Sequence, residues 1–146
     1  MISLSVALQG NKTGSVKLAA FNAALVPNMI RGVNKATTRL EREIKKNLSK
    51  GGRFRVTEGQ PWVPNPGPHL RIGNDTLRSS WRAHPAKRVG NDVEGRVTTW
   101  VPYAARHEFG DEAAGIRKRP YVRPAIKDKK DEMALDLGHE VVRPLR

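Results

Sequence analysis

Apolar and polar residues alternate from Met1 to Gln9, with Ile2, Leu4, Val6 and Leu8 on one side and Ser3, Ser5, Ala7 and Gln9 on the other. A period of two belongs to a half-buried strand. Gly10, Asn11 and Gly14 supply turn chemistry, and Leu18, Phe21, Ala24 and Leu25 then repeat at helical spacing. Pro27 is expected to interrupt that helix, because it lacks an amide hydrogen and its ring crowds the preceding turn. Beyond it Ile30, Val33, Ala36 or Thr37, Leu40, Ile44 and Leu48 recur every three or four residues, which predicts a helix from Pro27 to Ser49. Arg31, Lys35, Arg39, Arg42, Lys45 and Lys46 fill much of the other face, so a basic exposed surface is predicted. Gly51-Gly52 stops the run.

From Gly51 to Gly73 no period is visible, and Pro61, Pro64, Pro66 and Pro68 fall among several glycines. Two readings are open for this extended loop. It is a flexible surface loop, or it is an arm that orders against a neighbouring subunit, a use that would suit Phe54, Val56, Trp62 and Val63. Asn74 or Asp75 is positioned to cap a short helix over Leu77 to Trp81. Two strands follow, about Arg82 to Val89 and Val93 to Pro102, joined by the tight-turn residues Gly90-Asn91-Asp92. Val93, Val97, Thr99 and Val101 share one face of the second strand. Arg96, Thr98 and Trp100 share the other, and the ribbon is expected to be covered on both sides near Trp100.

The densest stretch is Tyr103 to Lys127, unusual in a chain that is only 5% aromatic. Tyr103 to Phe109 predicts a strand end rolling into one helical turn, closed by Gly110. Pro124 is placed to be the first residue of a last helix reaching about Gly138, with Ile126, Met133 and Leu137 on one stripe and the charged residues 127–132 on a solvated face.

The order Tyr103-Ala104, then His107-Glu108-Phe109-Gly110, a short loop, and Arg119-Pro120-Tyr121-Val122-Arg123-Pro124-Ala125 resembles a signature of tailed-phage neck proteins. These are the tail-completion, or head-tail joining, proteins related to the lambda minor tail protein Z and the phage virion morphogenesis proteins. Leu70 to Trp81 is similar to the Leu-x-x-Gly-x-Leu-x-x-Ser pattern of that family, although two residues separate Gly73 from the Thr76-Leu77 pair. The resemblance covers roughly 29–142. It implies a virion protein, assembled in the host cytoplasm, that forms a six-fold ring of identical subunits around the DNA channel. Its neighbours would be head-closure and tail-terminator or tail-tube proteins. A closed ring needs two different patches on each protomer. The candidates are the loop carrying Phe54, Trp62 and Val63, and the segment carrying Tyr103, His107, Glu108, Phe109 and Tyr121.

Length and charge narrow the picture independently. A chain of 146 residues is one domain's worth, and one domain over 1–146 is expected. The formal net charge of +13 makes a polyanion or an acidic protein surface the first physical partner to consider. The surplus is concentrated in residues 30–60 and 117–146, with Arg53, Arg55, Arg117, Lys118 and Arg119 as contact candidates. No base-reading element is evident, so DNA contact would be through phosphates alone. Cysteine is absent, which removes disulfides and thiolate metal sites. No apolar run reaches the ~18 residues of a membrane span, and the Met1 region lacks a signal-peptide layout, so a cytosolic product is expected.

The histidines (69, 84, 107 and 139) are scattered and show no zinc spacing, and phosphate-loop and nucleophile-elbow patterns are missing. His107-Glu108 is the one pair to weigh for catalysis. Adjacent side chains diverge, so Glu108 is expected to hydrogen-bond or to pair with an arginine of the 117–123 cluster, while His107 packs near the turn. The reading is an α+β domain in which a small antiparallel sheet packs on a long N-terminal-half helix and a C-terminal helix. Its expected role is structural, with no enzyme activity and no cofactor or metal. The competing reading is a monomeric, basic protein that binds nucleic acid without sequence preference.

Overall fold

The computed structural model describes residues 3–8, 17–51, 69–70 and 75–142, with side chains from residue 25 onward. The elements in chain order are β1 (Ser3–Leu8), α1 (Lys17–Ser49), α2 (Thr76–Ser80), β2 (Arg82–Val89), β3 (Asp92–Thr98), α3 (Ala104–Phe109) and α4 (Val122–Val141). The three strands form one antiparallel sheet in the order β1-β3-β2. β2 and β3 are a hairpin turned at Gly90, whose φ of 63° is open to glycine without strain. β1 joins the far edge of β3, with Leu4 paired to Val97 and Leu8 to Val93. The α+β architecture expected from the periodicity is the one found. Most of the glycine- and proline-rich loop expected over 51–73, and with it Arg53, Phe54, Arg55, Trp62 and Val63, lies outside the described residues.

α1 is the spine of the molecule. Ala36, Leu40, Ile44 and Leu48 bury one stripe against Trp81, Val97, Tyr121, Val122, Ala125 and Met133, and Met29 and Val33 bury its earlier turns against Ala86 and Val93. Each large apolar side chain so enclosed contributes about 1.5–3 kcal/mol. Gly95 lets α1 and β3 approach closely: a Cβ there would stand 2.6 Å from Val33 Cγ1 and 2.7 Å from Thr37 Cγ2.

Pro27 does not end the helix as expected. α1 runs unbroken from Lys17 to Ser49 with Pro27 inside it. The physical reason is position: Pro27 is on the exposed side, whereas its neighbours Val26, Met29 and Ile30 pack into the core. Burial on both sides of the proline outweighs the roughly 3 kcal/mol that an interior proline costs.

α1 also seals the free edge of β2. Asn34 Oδ1 accepts the Ala86 amide at 2.7 Å and Glu41 Oε2 accepts the Ala83 amide at 2.7 Å. The two side chains are seven residues apart, two helical turns, and so project from the same face. Between their targets the ladder is irregular, and Pro85 has no amide to satisfy. Burial alone would raise the Glu41 pKa, but hydrogen bonds from Lys45 and the Ala83 amide, with the charges of Lys45 and Arg82, hold it below the ordinary value.

Three further sequence expectations are corrected. Asp75 stands before α2 with φ 61° and makes no side-chain cap; its carboxylate instead holds Arg78, with 2.6 Å to both Nε and Nη2. β3 leaves the ladder at Thr98 although burial keeps alternating through Thr99 and Val101, and Trp100 is 68% exposed rather than covered on that side. The basic face of α1 is not left free, because much of it meets α4. Arg39 makes a two-point contact with Asp136 at 2.7 and 3.1 Å and bonds Glu132 at 2.7 Å, while Lys35 and Arg31 both pair with Glu140. Glu132, expected to be solvated, is part of that seam.

Candidate functional site at the corner between α3 and α4

The residues singled out between Tyr103 and Arg123 form one compact corner. α3 is a helix of 6 residues, too short to persist alone, so its place depends on what its side chains reach. Gly110 closes it with φ 84° and donates its amide to Arg106 O at 2.8 Å. The chain then makes a small loop pinned by paired bonds between Asp111 and Ile116, at 2.9 and 2.8 Å, with Gly115 at φ 65°. Returning, it lies beside α3, where the Arg119 amide meets His107 O at 2.8 Å. A Cβ on Gly110 would stand 3.2 Å from Lys118 N, so the two passes are tightly apposed.

Glu108 ties the corner together. Its carboxylate is 1% exposed; Oε2 accepts the amides of Tyr121 at 2.7 Å and Val122 at 2.9 Å, and Oε1 accepts that of Arg123 at 3.0 Å. An α-helix begins with four amides that have no partner inside it, which for α4 belong to residues 121–124. Glu108 serves three, and the fourth residue is Pro124, which has no amide hydrogen. The helix N-terminus is thereby satisfied by a side chain from another element, and its partial positive charge faces a carboxylate. α4 accordingly starts at Val122, two residues before the expected start, with Pro124 as its third residue, and it continues past Gly138 to Val141.

Tyr121 is clamped beneath. It is buried, its hydroxyl donates to Ala104 O at 3.0 Å, and its ring meets Trp81 edge-on with centroids 6.0 Å apart. Burial, with the nearby Glu108 charge, pushes its phenol pKa upward. Asn47 Nδ2 reaches across from α1 to Tyr121 O at 3.1 Å, a link with no signal in the sequence pattern.

Two of the proposed subunit-contact residues are therefore committed inside the protomer: Glu108 and Tyr121 are too buried to offer a surface. Of the two expectations for Glu108, hydrogen bonding is the one found, to backbone amides rather than to a guanidinium, because a helix start concentrates three donors within reach of one carboxylate. Tyr103, 37% exposed, and Phe109, 53% exposed, do face outward. His107 lies half-buried against Tyr103, ring centroids 5.7 Å apart at 85°, and burial with the Arg119 charge lowers its pKa. Its ring and the Glu108 carboxylate thus serve different contacts and form no acid-base pair. Arg123 lies over the Phe109 ring at 5.1 Å, a cation-π contact. Arg117 and Lys118 are exposed on the returning strand of the loop, with Arg119 partly buried behind them. Among the described residues no three His, Asp or Glu side chains gather as a metal site would need, and no helix is long and apolar enough to cross a membrane.

Compared with known protein families, curated proteins and solved structures, the chain finds no match in any of the three.

Proposed function

We propose that this chain is a structural joining protein of a tailed-phage neck, which completes the tail and links it to the head as a ring of identical subunits around the DNA channel. The observation that carries the reading is the junction at Glu108. The two sequence blocks on which the resemblance rests, His107-Glu108-Phe109-Gly110 and Arg119-Pro120-Tyr121-Val122-Arg123-Pro124, are one physical unit, in which the first block caps the helix begun by the second. The residues of that unit do the work of a rigid mount: Glu108 and Tyr121 lock it, and Tyr103 and Phe109 are held outward on it. A preorganised aromatic surface loses little freedom on docking, which suits binding and positioning rather than chemistry. In this role the protein is a component of the virion, assembled in the cytoplasm of the host, with head-closure and tail-terminator or tail-tube proteins on either side.

The test is solution mass by light scattering, with electron microscopy of the same sample and of the sample added to isolated phage tails. A discrete ring, alone or on tail ends, is the expected result. A chain that stays monomeric at all concentrations and adds to no tail structure would overturn the proposal.

A further inference from the structure

The corner's surface is cationic and aromatic together. Phe109 and Tyr103 are exposed, and Arg106, Arg117, Lys118, Arg123 and Lys127 surround them on α3, the loop and the first turns of α4. Opposing charge there is small. Asp111 is held by Arg106 at 3.3 Å, Glu112 sits at the loop tip, and Glu108 is buried under the helix amides.

Among the described residues a second copy of the chain gathers few unpaired acids to offer in return; Asp75 holds Arg78 and Glu94 holds Arg96. Three acids of α4 are already used within the fold: Glu132 and Asp136 hold Arg39, and Glu140 holds Lys35 and Arg31. On α1, Glu41 is held by Lys45 and Glu43 lies near Lys46. The exposed acids Asp128 and Asp131 alternate with Lys127 and Lys130, so no patch of one sign results. The seam pairs three cations with three anions, so the +13 surplus of the chain is carried by residues outside it. Apposing this corner to another copy would set like charges together, which opposes binding.

Duplex DNA, the nucleic acid of the proposed channel, would answer the charge but not the rings. A duplex presents phosphates along its edge with its bases stacked inside, and so offers no apolar pocket to an exposed Phe109. Aromatic anchors rimmed by arginines are the make-up of protein-protein hot spots. We infer that the corner docks an acidic protein surface carrying an apolar pocket or side chain, with Phe109 and Tyr103 as anchors and Arg117, Lys118 and Arg123 pairing its carboxylates. The inference rests on the joining reading and names the partner class at that surface: an acidic neighbour, not a sister subunit and not duplex DNA.

The experiment uses the full chain and three probes: a fluorescent peptide of alternating Glu and Leu, a 20-base-pair DNA duplex, and the unlabelled chain itself. Variants are F109A, the pair R117E/K118E, and a control pair K50E/K130E on other exposed lysines. The expected result is peptide binding that weakens with salt, falls roughly tenfold in F109A and in R117E/K118E, and changes less than about threefold in the control. Self-association and duplex binding should respond to F109A no more than to the control. The inference is overturned if F109A leaves peptide binding unchanged, if duplex DNA is the probe that F109A loses, or if F109A breaks the ring, since the corner would then be a contact between copies. A ring that forms normally while the peptide fails to bind sinks this inference alone; a chain that never assembles sinks the joining reading instead.

Discussion

The carboxylate of Glu108 stands 2.7 Å from the amide nitrogen of Tyr121, and through that contact and its neighbours a helix of 6 residues holds the start of one of 20. Removing it strands the buried amides of Tyr121 and Val122 and the partly buried amide of Arg123. Glu108→Ala should lower stability by about 3 kcal/mol or more, since each unsatisfied buried donor costs about 1–3 kcal/mol. Glu108→Gln keeps one acceptor oxygen but turns an NH2 group toward the amides, so a smaller loss of about 1–3 kcal/mol is expected. Urea unfolding followed by circular dichroism reads both; an Ala variant as stable as the parent would show that the cap is dispensable.

At Gly95 α1 packs tightly on the central strand. Gly95→Ala should destabilise by about 1–3 kcal/mol, because the new methyl group meets Val33 Cγ1 and Thr37 Cγ2 well inside contact distance. Thr37→Ser deletes one of those methyls while keeping the hydroxyl that bonds Val33 O at 3.0 Å. In a double-mutant cycle it should recover part of the loss, with a coupling of at least about 0.5 kcal/mol. Strict additivity would place the strain elsewhere.

Pro27 invites the opposite kind of change. Pro27→Ala restores a helical amide at an exposed position and should raise the melting temperature, with a gain of about 1 kcal/mol after allowing for the freedom regained by the unfolded chain. A lower melting temperature would mean that the proline shapes α1 in a way the packing requires.

His107 sets a pH dependence with a definite sign. Its pKa in the folded protein lies below 6.5, lowered first by burial and then by Arg119. The unfolded chain therefore takes up the proton first as pH falls, and stability declines from about 6.5 down to the folded value. His107→Gln, which does not titrate, should flatten that part of the stability curve between pH 7.5 and 5. An unchanged slope in the variant would assign the acid sensitivity to other groups.

How much of this was readable in advance depends on the range of the interaction. Along α1 the spacing of Val33, Leu40, Ile44 and Leu48 predicts the buried stripe, and the alternation of Val93, Val97, Thr99 and Val101 predicts the inner face of β3 and of the segment after it, because both patterns are local consequences of backbone geometry. At the corner, the turn of α3 and its closing glycine were also legible, while the exposure of Phe109 and the helix start that Glu108 serves were not. Nothing in the spacing of Glu108 and Tyr121 says that a carboxylate will meet the open end of a helix begun fourteen residues after it.

The amino-acid sequence by itself determined the elements, their apolar faces and the excess of positive charge, since period, turn chemistry and composition act within a few residues. Tertiary structure decided the rest. It carried α1 through Pro27 because burial on both sides outweighs one lost hydrogen bond. It spent Arg39 and Lys35 on α4 because two helices packed side by side bring their charges into contact, and it left Arg117 and Lys118 exposed and Phe109 about half covered, with Arg123 over its ring, because these side chains stand on the outer side of the corner.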